Sequence, residues 1–241
     1  MPSTLQAQLA PTGTLRVGIN MANMLLVTDR EPDGAPVGVA PDMARALAER
    51  AGVPVTLHPC PLPGATADAL TTGAVDMVLI AQEAERAKTI AFSPAYCEIE
   101  ATYLVPAGSP IATLEDVDRP GTRIAVADRA AYDLYLSRSL NHAELVRATG
   151  LPATVEMFVA EGLDVLAGLR PALIENAASI PGARILDGSY TTILQSIGIA
   201  HERPEAADFV AQFCREAIAS GFVADLLARH GVQDRLGVPS S

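Results

Sequence analysis

The chain contains no tryptophan, only three cysteines and only four histidines. The missing tryptophan excludes intrinsic indole fluorescence as a probe of this protein. Cys60, Cys97 and Cys214 are odd in number, lie far apart and match no CxxC or zinc-binding spacing, so we expect them to be buried thiols. The histidines are equally scattered. The sequence therefore predicts neither a metal site nor a cofactor.

Positive charge and long apolar runs are also scarce. The net charge of −11 argues against a nucleic-acid partner. No apolar run approaches the roughly 20 residues of a membrane span, so we expect no membrane insertion. The first ten residues lack the basic and apolar regions of a secretory signal. We therefore expect a periplasmic protein if a signal has been removed, and a cytoplasmic one otherwise. With no clear assembly signal, the expected state is a monomer.

Apolar segments of strand length alternate with segments of helical periodicity along the chain, which predicts an α/β fold with parallel strands. The predicted strands are 15–19, 53–57, 75–80, 99–105, 123–127, 144–147, 163–166, 184–186 and 193–200. The predicted helices begin near 41 and cover 66–72, 131–140, 155–161, 171–178, 204–219 and 222–230. We expect residues 1–13 to form a loose arm and residues 31–36 a turn.

The alternation restarts after residue 98, which predicts two α/β lobes. The first lobe is expected to comprise 1–97 and 198–241, and the second to comprise 98–197. The chain then crosses between the lobes twice, near 97–103 and 190–197. No Gly/Ser-rich or Pro-rich linker marks either boundary, which favours paired crossing strands over a flexible tether.

The segment 75–96 is the most informative stretch of the sequence. It reads as a buried strand, a short charged turn that contains Arg86, and an aromatic corner at 92–96. Similar features are the opening strand and helix of 15–52, the Leu-x-x-Gly-x-x-Asp turn of 70–76 and the helical hairpin near 220–231. Over about 14–232 the chain resembles the type II periplasmic solute-binding proteins of the amino-acid type (family 3), the substrate-binding components of ABC importers.

This resemblance implies two lobes joined by crossing hinge strands, with a ligand cleft between the lobes that closes on a small polar solute. It also implies that Arg86 binds the carboxylate of the ligand, and it makes an importer permease a possible partner. Three usual features of amino-acid binders are missing. The segment 20–26 has no aromatic residue. The family's hydroxyl-bearing turn aligns with Arg129, Ala130 and Ala131, and its ammonium-binding Asp aligns with Leu169 or Arg170. The ligand therefore need not be a standard α-amino acid.

Polar residues at the carboxyl ends of predicted strands are the other candidates for ligand contact, because ligands bind there in open α/β sheets. Each candidate also has a structural interpretation, as a turn former, a helix cap, a surface ion pair or a core aromatic residue. Glu100 interrupts an apolar strand and needs a cationic partner, supplied by the ligand or by Arg86 or Arg170. The candidate ligand-binding residues are Asn20, Asn23, Gln82, Arg86, Glu100, Arg129, Tyr132, Arg170 and Gln195.

Three functions fit this sequence. The first is non-catalytic binding of a carboxylate-bearing solute, an amino acid or similar molecule, for an ABC importer. The second is an enzyme resembling the cyclohexadienyl dehydratases on the same fold, in which burial would raise the pKa of Glu100 and make it a proton donor. The third is a cytosolic small-molecule sensor. The sequence contains no Ser-His-Asp signature and no phosphate-binding glycine loop, so we predict the first function and no catalytic residues.

Overall fold

The computed structural model describes residues 4–239, which separate into two compact units. Unit 1 is formed by the chain up to Glu98 and from Leu194 onward, and unit 2 is Ile99–Ile193. The predicted lobe boundaries at 97/98 and 197/198, and hinge motion at the crossing strands, stay predictions.

Along the chain the first elements are α1 (Thr4–Leu9), β1 (Leu15–Asn20), β2 (Asp29–Arg30), β3 (Pro36–Val37), α2 (Val39–Ala51), β4 (Val55–Cys60), α3 (Pro63–Thr71), β5 (Met77–Ala81), a 3-10 turn (Arg86–Lys88) and β6 (Ile90–Phe92).

Unit 2 begins within β7 and ends within β12. Its elements are β7 (Cys97–Val105), β8 (Arg123–Ala127), α4 (Ala131–Ser139), β9 (Glu144–Ala148), α5 (Gly150–Ala160), β10 (Val165–Leu169), α6 (Arg170–Ser179), β11 (Arg184–Ile185) and β12 (Thr191–Ala200). The chain then completes unit 1 with α7 (Pro204–Ala219) and α8 (Phe222–Arg229).

Unit 1 is built on a mixed sheet with the order β4-β1-β5-β12. Strand β1 is parallel to both β4 and β5, whereas β12 is antiparallel to β5 and β6. All five residues of β5 are buried, as its uninterrupted apolar sequence predicts for a central parallel strand. Helices α2 and α3 follow β1 and β4 along the chain, as expected for an α/β fold. Strand β12 is added beside β5 in the antiparallel direction.

Unit 2 has a similar sheet, with the order β7-β10-β8-β9. Strand β8 is parallel to β9 and β10, whereas β7 is antiparallel to β10 and β11. Its apolar core joins the sheet to the surrounding helices through Leu104, Ala125, Phe158, Leu166 and Leu173. The carboxyl ends of the three parallel strands, β9, β8 and β10, therefore lie along one edge.

The expectation of a loose arm at 1–13 was wrong, because its described part contains α1; residues 1–3 lie outside the described residues. The short strands β2, β3 and β6 were not predicted. Helix α1 is held by tertiary contacts, since Leu9 is fully buried and the side chain of Gln8 accepts hydrogen bonds from the backbone of Glu205 and Ala206. Such contacts stabilise a six-residue helix that is too short to be stable alone.

Each unit uses the same hydrogen-bonded link at the start of its central strands. The N–H of Asp76 donates to the carbonyl of Arg16, whose own N–H donates to the carboxylate of Asp76. In unit 2 the N–H of Asp164 donates to the carbonyl of Arg123, and the N–H of Arg123 donates back to the carboxylate of Asp164. An aspartate just before β5 and β10 therefore fixes the alignment of each strand with its neighbour.

The loop after β1 is pressed against Gly38, which has a positive φ of 148°. A Cβ atom at this position would overlap the carbonyl group of Leu26. That carbonyl accepts a hydrogen bond from the N–H of Ala40 at 3.1 Å. Glycine is required here because the backbones of the loop and of the start of α2 approach so closely. This contact fixes the position of the segment 20–27 in unit 1.

The carboxylate of Asp118 organises the connection between α4 and β9. It accepts hydrogen bonds from the backbone N–H groups of Asn141, His142 and Ala143 at 2.8–2.9 Å. Burial would raise the pKa of Asp118, but these three hydrogen bonds outweigh it and lower the pKa to about 2. The ionised carboxylate is therefore part of the folded structure of unit 2.

We expect the Asp118→Asn substitution to destabilise unit 2 by about 1 kcal/mol at pH 7, because the site is partly exposed and solvent screens the charge. A lowered pKa in the folded state gives stability that is complete above the unfolded pKa and is lost as the pH falls through the folded pKa. Urea unfolding between pH 5 and pH 2 followed by circular dichroism measures this effect. The loss of stability across that range should be smaller in the variant; an identical pH dependence in both proteins would contradict the prediction.

Candidate functional site

Arg86 lies in the 3-10 turn after β5 and is only 6% exposed. Its guanidinium donates to the carbonyl of Ala81, the last residue of β5, at 2.7 Å. The alternative of a solvated surface arginine is wrong, because the side chain is buried. Glu85, the residue before Arg86, forms an ion pair with Lys88 at 2.6 Å. A buried guanidinium fixed to the end of a strand is well suited to bind a carboxylate with two parallel hydrogen bonds.

Gln82 and Gln195 are brought together with Arg86 at the end of β5. The N–H of Gln82 donates to the carbonyl of Leu194, and Gln195 is paired with Ala81 across β5 and β12. The side-chain oxygen of Gln82 accepts a hydrogen bond from the hydroxyl of Ser196 at 3.4 Å. Gln195 is 3% exposed. The pairing of β12 with β5 thus places residues far apart in sequence in one cluster.

Asn20 and Asn23 lie where β1 ends, beside the end of β5. The side-chain oxygen of Asn20 accepts from the N–H of Ala22, and that of Asn23 accepts from the N–H of Leu25, both at 3.2 Å. These bonds are typical of asparagines that shape a turn. They use the carbonyl oxygen of each side chain, so the amide NH₂ groups are the parts that would donate to a ligand.

Glu100 and Arg170 form an ion pair in unit 2, with 2.5 Å between Oε2 and Nε. Arg170 also donates to the carbonyl of Gly188, which accepts a second hydrogen bond from the hydroxyl of Thr102. The expectation that the strand buries Glu100 was wrong, since its side chain is 55% exposed. This exposure does not provide the burial that the dehydratase hypothesis requires of Glu100.

Arg129 and Tyr132 lie at the junction between β8 and α4. Arg129 is exposed and has a φ of 57°, and its N–H donates to the carboxylate of Asp133 at 2.8 Å. Tyr132 is 7% exposed and lies with Leu136 on the buried face of α4. Burial raises the pKa of Tyr132, with a further contribution from the charge of Asp133. The tyrosine therefore remains a neutral hydroxyl at physiological pH.

Two polar groups that the sequence did not single out lie next to the candidate residues. Glu83 is a 6% exposed carboxylate in the loop of Arg86, and its Oε2 accepts from the N–H of Glu85 at 2.7 Å. In unit 2 the carbonyl of Gly188 is a shared acceptor, as described above. The spacing of three residues to Arg86 was the only sequence signal for Glu83. No side-chain pattern could have indicated a backbone carbonyl.

The three cysteines have the properties of structural residues and not of reactive thiols. All three are buried free thiols, as predicted. Burial raises the pKa of Cys97 to about 12 and that of Cys214 to about 11, so neither is a reactive thiolate.

Within residues 4–239, no group of His, Cys, Asp and Glu side chains is arranged to hold a metal ion. No helix in that described range combines the length and the apolar composition needed to cross a membrane.

A sequence profile of the bacterial extracellular solute-binding proteins, family 3, matches residues 15–233. The chain belongs to this family. The match extends from β1 to just beyond α8 and so includes both units. The predicted membership of family 3 and the type II periplasmic binding protein fold are thereby confirmed. No curated protein matches the chain.

Solved structures of similar fold cover nearly the whole chain of this family member. A mutant of ArgBP from T. maritima is 21% identical with a TM-score of 0.76, and the alignment covers 95% of this chain and 99% of that one. An ancestral amino acid-binding protein described as a precursor of cyclohexadienyl dehydratase is 23% identical, with a TM-score of 0.76 and coverage of 94% and 98%.

A third similar structure is AbpA from Streptococcus pneumoniae, an amino acid ABC transporter substrate-binding protein bound to L-arginine. It is 17% identical, with a TM-score of 0.74 and coverage of 94% of this chain and 98% of that one. At these identities the structures establish a shared fold, and the ligand of each belongs to that protein alone.

Proposed function

We propose that this protein binds a small carboxylate-bearing solute, an amino acid or a similar molecule, as the substrate-binding component of an ABC importer. The observation that carries the proposal is Arg86, a buried guanidinium fixed to the end of β5 in a member of the family 3 solute-binding proteins. A guanidinium held in place in this way can donate two parallel hydrogen bonds to a ligand carboxylate.

The proposed contacts come from both units. Unit 1 supplies Asn20, Asn23, Gln82, Arg86 and Gln195, and unit 2 supplies Glu100, Arg129, Tyr132 and Arg170. A ligand that contacts residues of both units binds most tightly to the conformation in which it is enclosed. Ligand binding would therefore favour that closed conformation and couple hinge motion to binding. We propose that an importer permease recognises this closed form and that the protein acts outside the cytoplasm.

Native mass spectrometry of freshly purified protein, followed by denaturation, tests this proposal. We expect a 1:1 complex with a small carboxylate, identified after its release. Adding that compound at 100 times its Kd should stabilise the protein by about 2.7 kcal/mol, which corresponds to a rise in Tm of about 5–10 °C.

A panel of L-arginine, L-lysine and L-glutamine, together with organic acids, covers the case of a protein that purifies empty. Incubation with prephenate and arogenate is run in parallel. Stabilisation by one class of carboxylate without turnover supports the proposal. Turnover of prephenate or arogenate, or failure of every carboxylate to bind, contradicts it.

A further inference from the structure

Gln195 is a polar residue on an apolar face of β12. Side chains alternate between the two faces of a strand, so Gln195 shares its face with Ile197 and Ile199. These isoleucines are buried opposite Leu79 and Met77 of β5. Gln195 is itself only 3% exposed. Packing alone would favour a further apolar residue at this position.

The side-chain amide of Gln195 takes no part in holding the fold together. Its backbone is fixed, because its carbonyl accepts a hydrogen bond from the N–H of Tyr96 at 2.9 Å and the residue is paired with Ala81. Among residues 4–239, however, no group forms a hydrogen bond with its side chain. A buried amide without a partner destabilises the folded state, so such groups are rare in native proteins.

The amide of Gln195 can nevertheless be reached from solvent. Its nitrogen and oxygen are not among the completely enclosed polar atoms that lack a partner in the described part of the chain. The small exposed part of the residue therefore includes the amide. A molecule bound at this point can form hydrogen bonds that the protein itself does not supply.

Gln195 lies beside the residue that anchors Arg86. It is directly opposite Ala81, and opposite residues of an antiparallel pair have Cα atoms about 5 Å apart. The carbonyl of Ala81 accepts the hydrogen bond from Arg86 at 2.7 Å. The next residue, Gln82, already uses its side-chain oxygen to accept from Ser196. The unused amide of Gln195 thus belongs to the same cluster as the guanidinium proposed to bind a carboxylate.

The chemistry of a carboxamide limits the groups that can satisfy it. Its NH₂ group donates hydrogen bonds and its oxygen accepts them. A carboxylate only accepts and an ammonium only donates, so either one leaves half of the amide without a partner. A hydroxyl or a second carboxamide both donates and accepts, and can satisfy both halves.

We propose that Gln195 binds an uncharged group of the ligand, a hydroxyl or a carboxamide, close to the carboxylate bound by Arg86. This inference rests on the proposed function and narrows it to acids that also carry a hydroxyl or an amide. A polar residue is kept on the apolar face of β12 because its amide recognises this second group.

Replacing Gln195 with methionine separates binding from folding, since methionine has a similar shape and only a weak acceptor. In ligand-free protein we expect the Tm to stay the same or to rise by up to about 4 °C, because an unsatisfied buried amide is removed. A residue that serves the fold would lower the Tm when it is replaced. Thermal unfolding followed by circular dichroism measures this change.

Isothermal titration with matched probes measures the effect on binding. The hydroxyl pairs are L-lactate with propionate and L-serine with L-alanine, and the amide pairs are succinamate with succinate and L-glutamine with L-glutamate. We expect wild-type protein to prefer the first member of the hydroxyl pairs or of the amide pairs by about 5- to 100-fold, because the second member leaves the amide unsatisfied. Gln195→Met should reduce that preference to about twofold or less.

Two further variants complete the test. Gln195→Glu keeps the size and the acceptor oxygens but loses the NH₂ donors, so it should retain only part of the preference. Gln212→Met is the control, because Gln212 is an exposed residue of α7 in the same unit whose amide donates to Glu216 at 2.8 Å. It should leave the preference unchanged.

Different outcomes identify which proposal fails. If wild-type protein binds the second member of every pair as tightly as the first, or co-purifies with a carboxylate that has neither a hydroxyl nor an amide, the inference is wrong and the proposed function stands. A clear fall in Tm for Gln195→Met, or the full preference in either Gln195 variant, also overturns the inference. If no carboxylate binds and none co-purifies, both proposals are wrong.

Discussion

Replacing Asp76 with alanine is expected to destabilise unit 1 by about 3 kcal/mol. The carboxylate is fully buried and accepts two hydrogen bonds of 2.8 Å from the guanidinium of Arg16 and one of 3.1 Å from Arg203 at the start of α7. Removing one partner of a buried ion pair typically costs about 3–5 kcal/mol. The lower end applies here because the side chains of Arg16 and Arg203 are 27% and 24% exposed and water can partly solvate them.

Urea unfolding followed by circular dichroism measures this change, and hydrogen exchange of β1 and β5 assigns it to unit 1. Asp164→Ala is the matched control, because Asp164 makes the corresponding bond to a backbone N–H in unit 2 without a guanidinium bound to its carboxylate. The control should lose only about 1 kcal/mol. Equal losses in the two variants would show that the two arginines contribute nothing beyond the backbone bond.

The same cluster makes the stability of unit 1 sensitive to acid. Burial raises the pKa of Asp76, but the hydrogen bonds from Arg16 and Arg203 outweigh it, and the net effect is a pKa below the ordinary value of 3.8. Stability from a lowered carboxyl pKa is present above the unfolded pKa and is lost as the pH falls through the folded pKa. The stability difference between wild-type protein and Asp76→Ala should therefore shrink below about pH 4.

The second large effect is expected for ligand binding by Arg86→Ala. Truncating a buried, hydrogen-bonded partner of a charged ligand group costs about 2–5 kcal/mol, so the Kd for the carboxylate ligand should rise about 30- to 4,000-fold. Arg86→Lys should recover only part of this loss, because lysine cannot donate two parallel hydrogen bonds to one carboxylate. Isothermal titration with the ligand found by native mass spectrometry measures both.

Lys88→Ala is the control for this experiment, since Lys88 lies in the same 3-10 turn with a side chain that is 66% exposed. It should bind the ligand as wild-type protein does. The Tm of ligand-free Arg86→Ala shows whether loss of the bond to Ala81 unfolds the turn. A folded Arg86→Ala protein with unchanged affinity would exclude Arg86 as the carboxylate-binding residue.

Much of the fold was predictable because its signals are local. Strand β8, the helix α7 and most other elements were located within a few residues, because apolar runs of five to six residues and helical periodicity report burial directly. The uninterrupted apolar sequence of β5 likewise indicated a central strand. Helix α1 and strand β6 were missed because a six-residue helix and a three-residue strand are stabilised by their neighbours and have little pattern of their own.

The candidate site was less predictable, because the environment of a charged side chain depends on partners far away in sequence. Arg86 could be recognised from its segment, but its burial could not. Glu100 was expected to need a cationic partner, with Arg170 among the candidates, and it does pair with Arg170, 70 residues later, but its side chain is exposed and not buried. The partners of the Asp76 carboxylate could not be named from its own segment, because Arg16 and Arg203 lie 60 and 127 residues away from it.

The sequence by itself determined the α/β class and the family, because both depend on short-range patterns of burial and turn chemistry. Only the tertiary structure decided which charges are paired and which backbone positions are strained. Strand register places Gln195 opposite Ala81, and a positive φ distinguishes Arg129 from every other non-glycine residue described. Register and backbone angles result from packing across the whole sheet, which no single segment of the chain encodes.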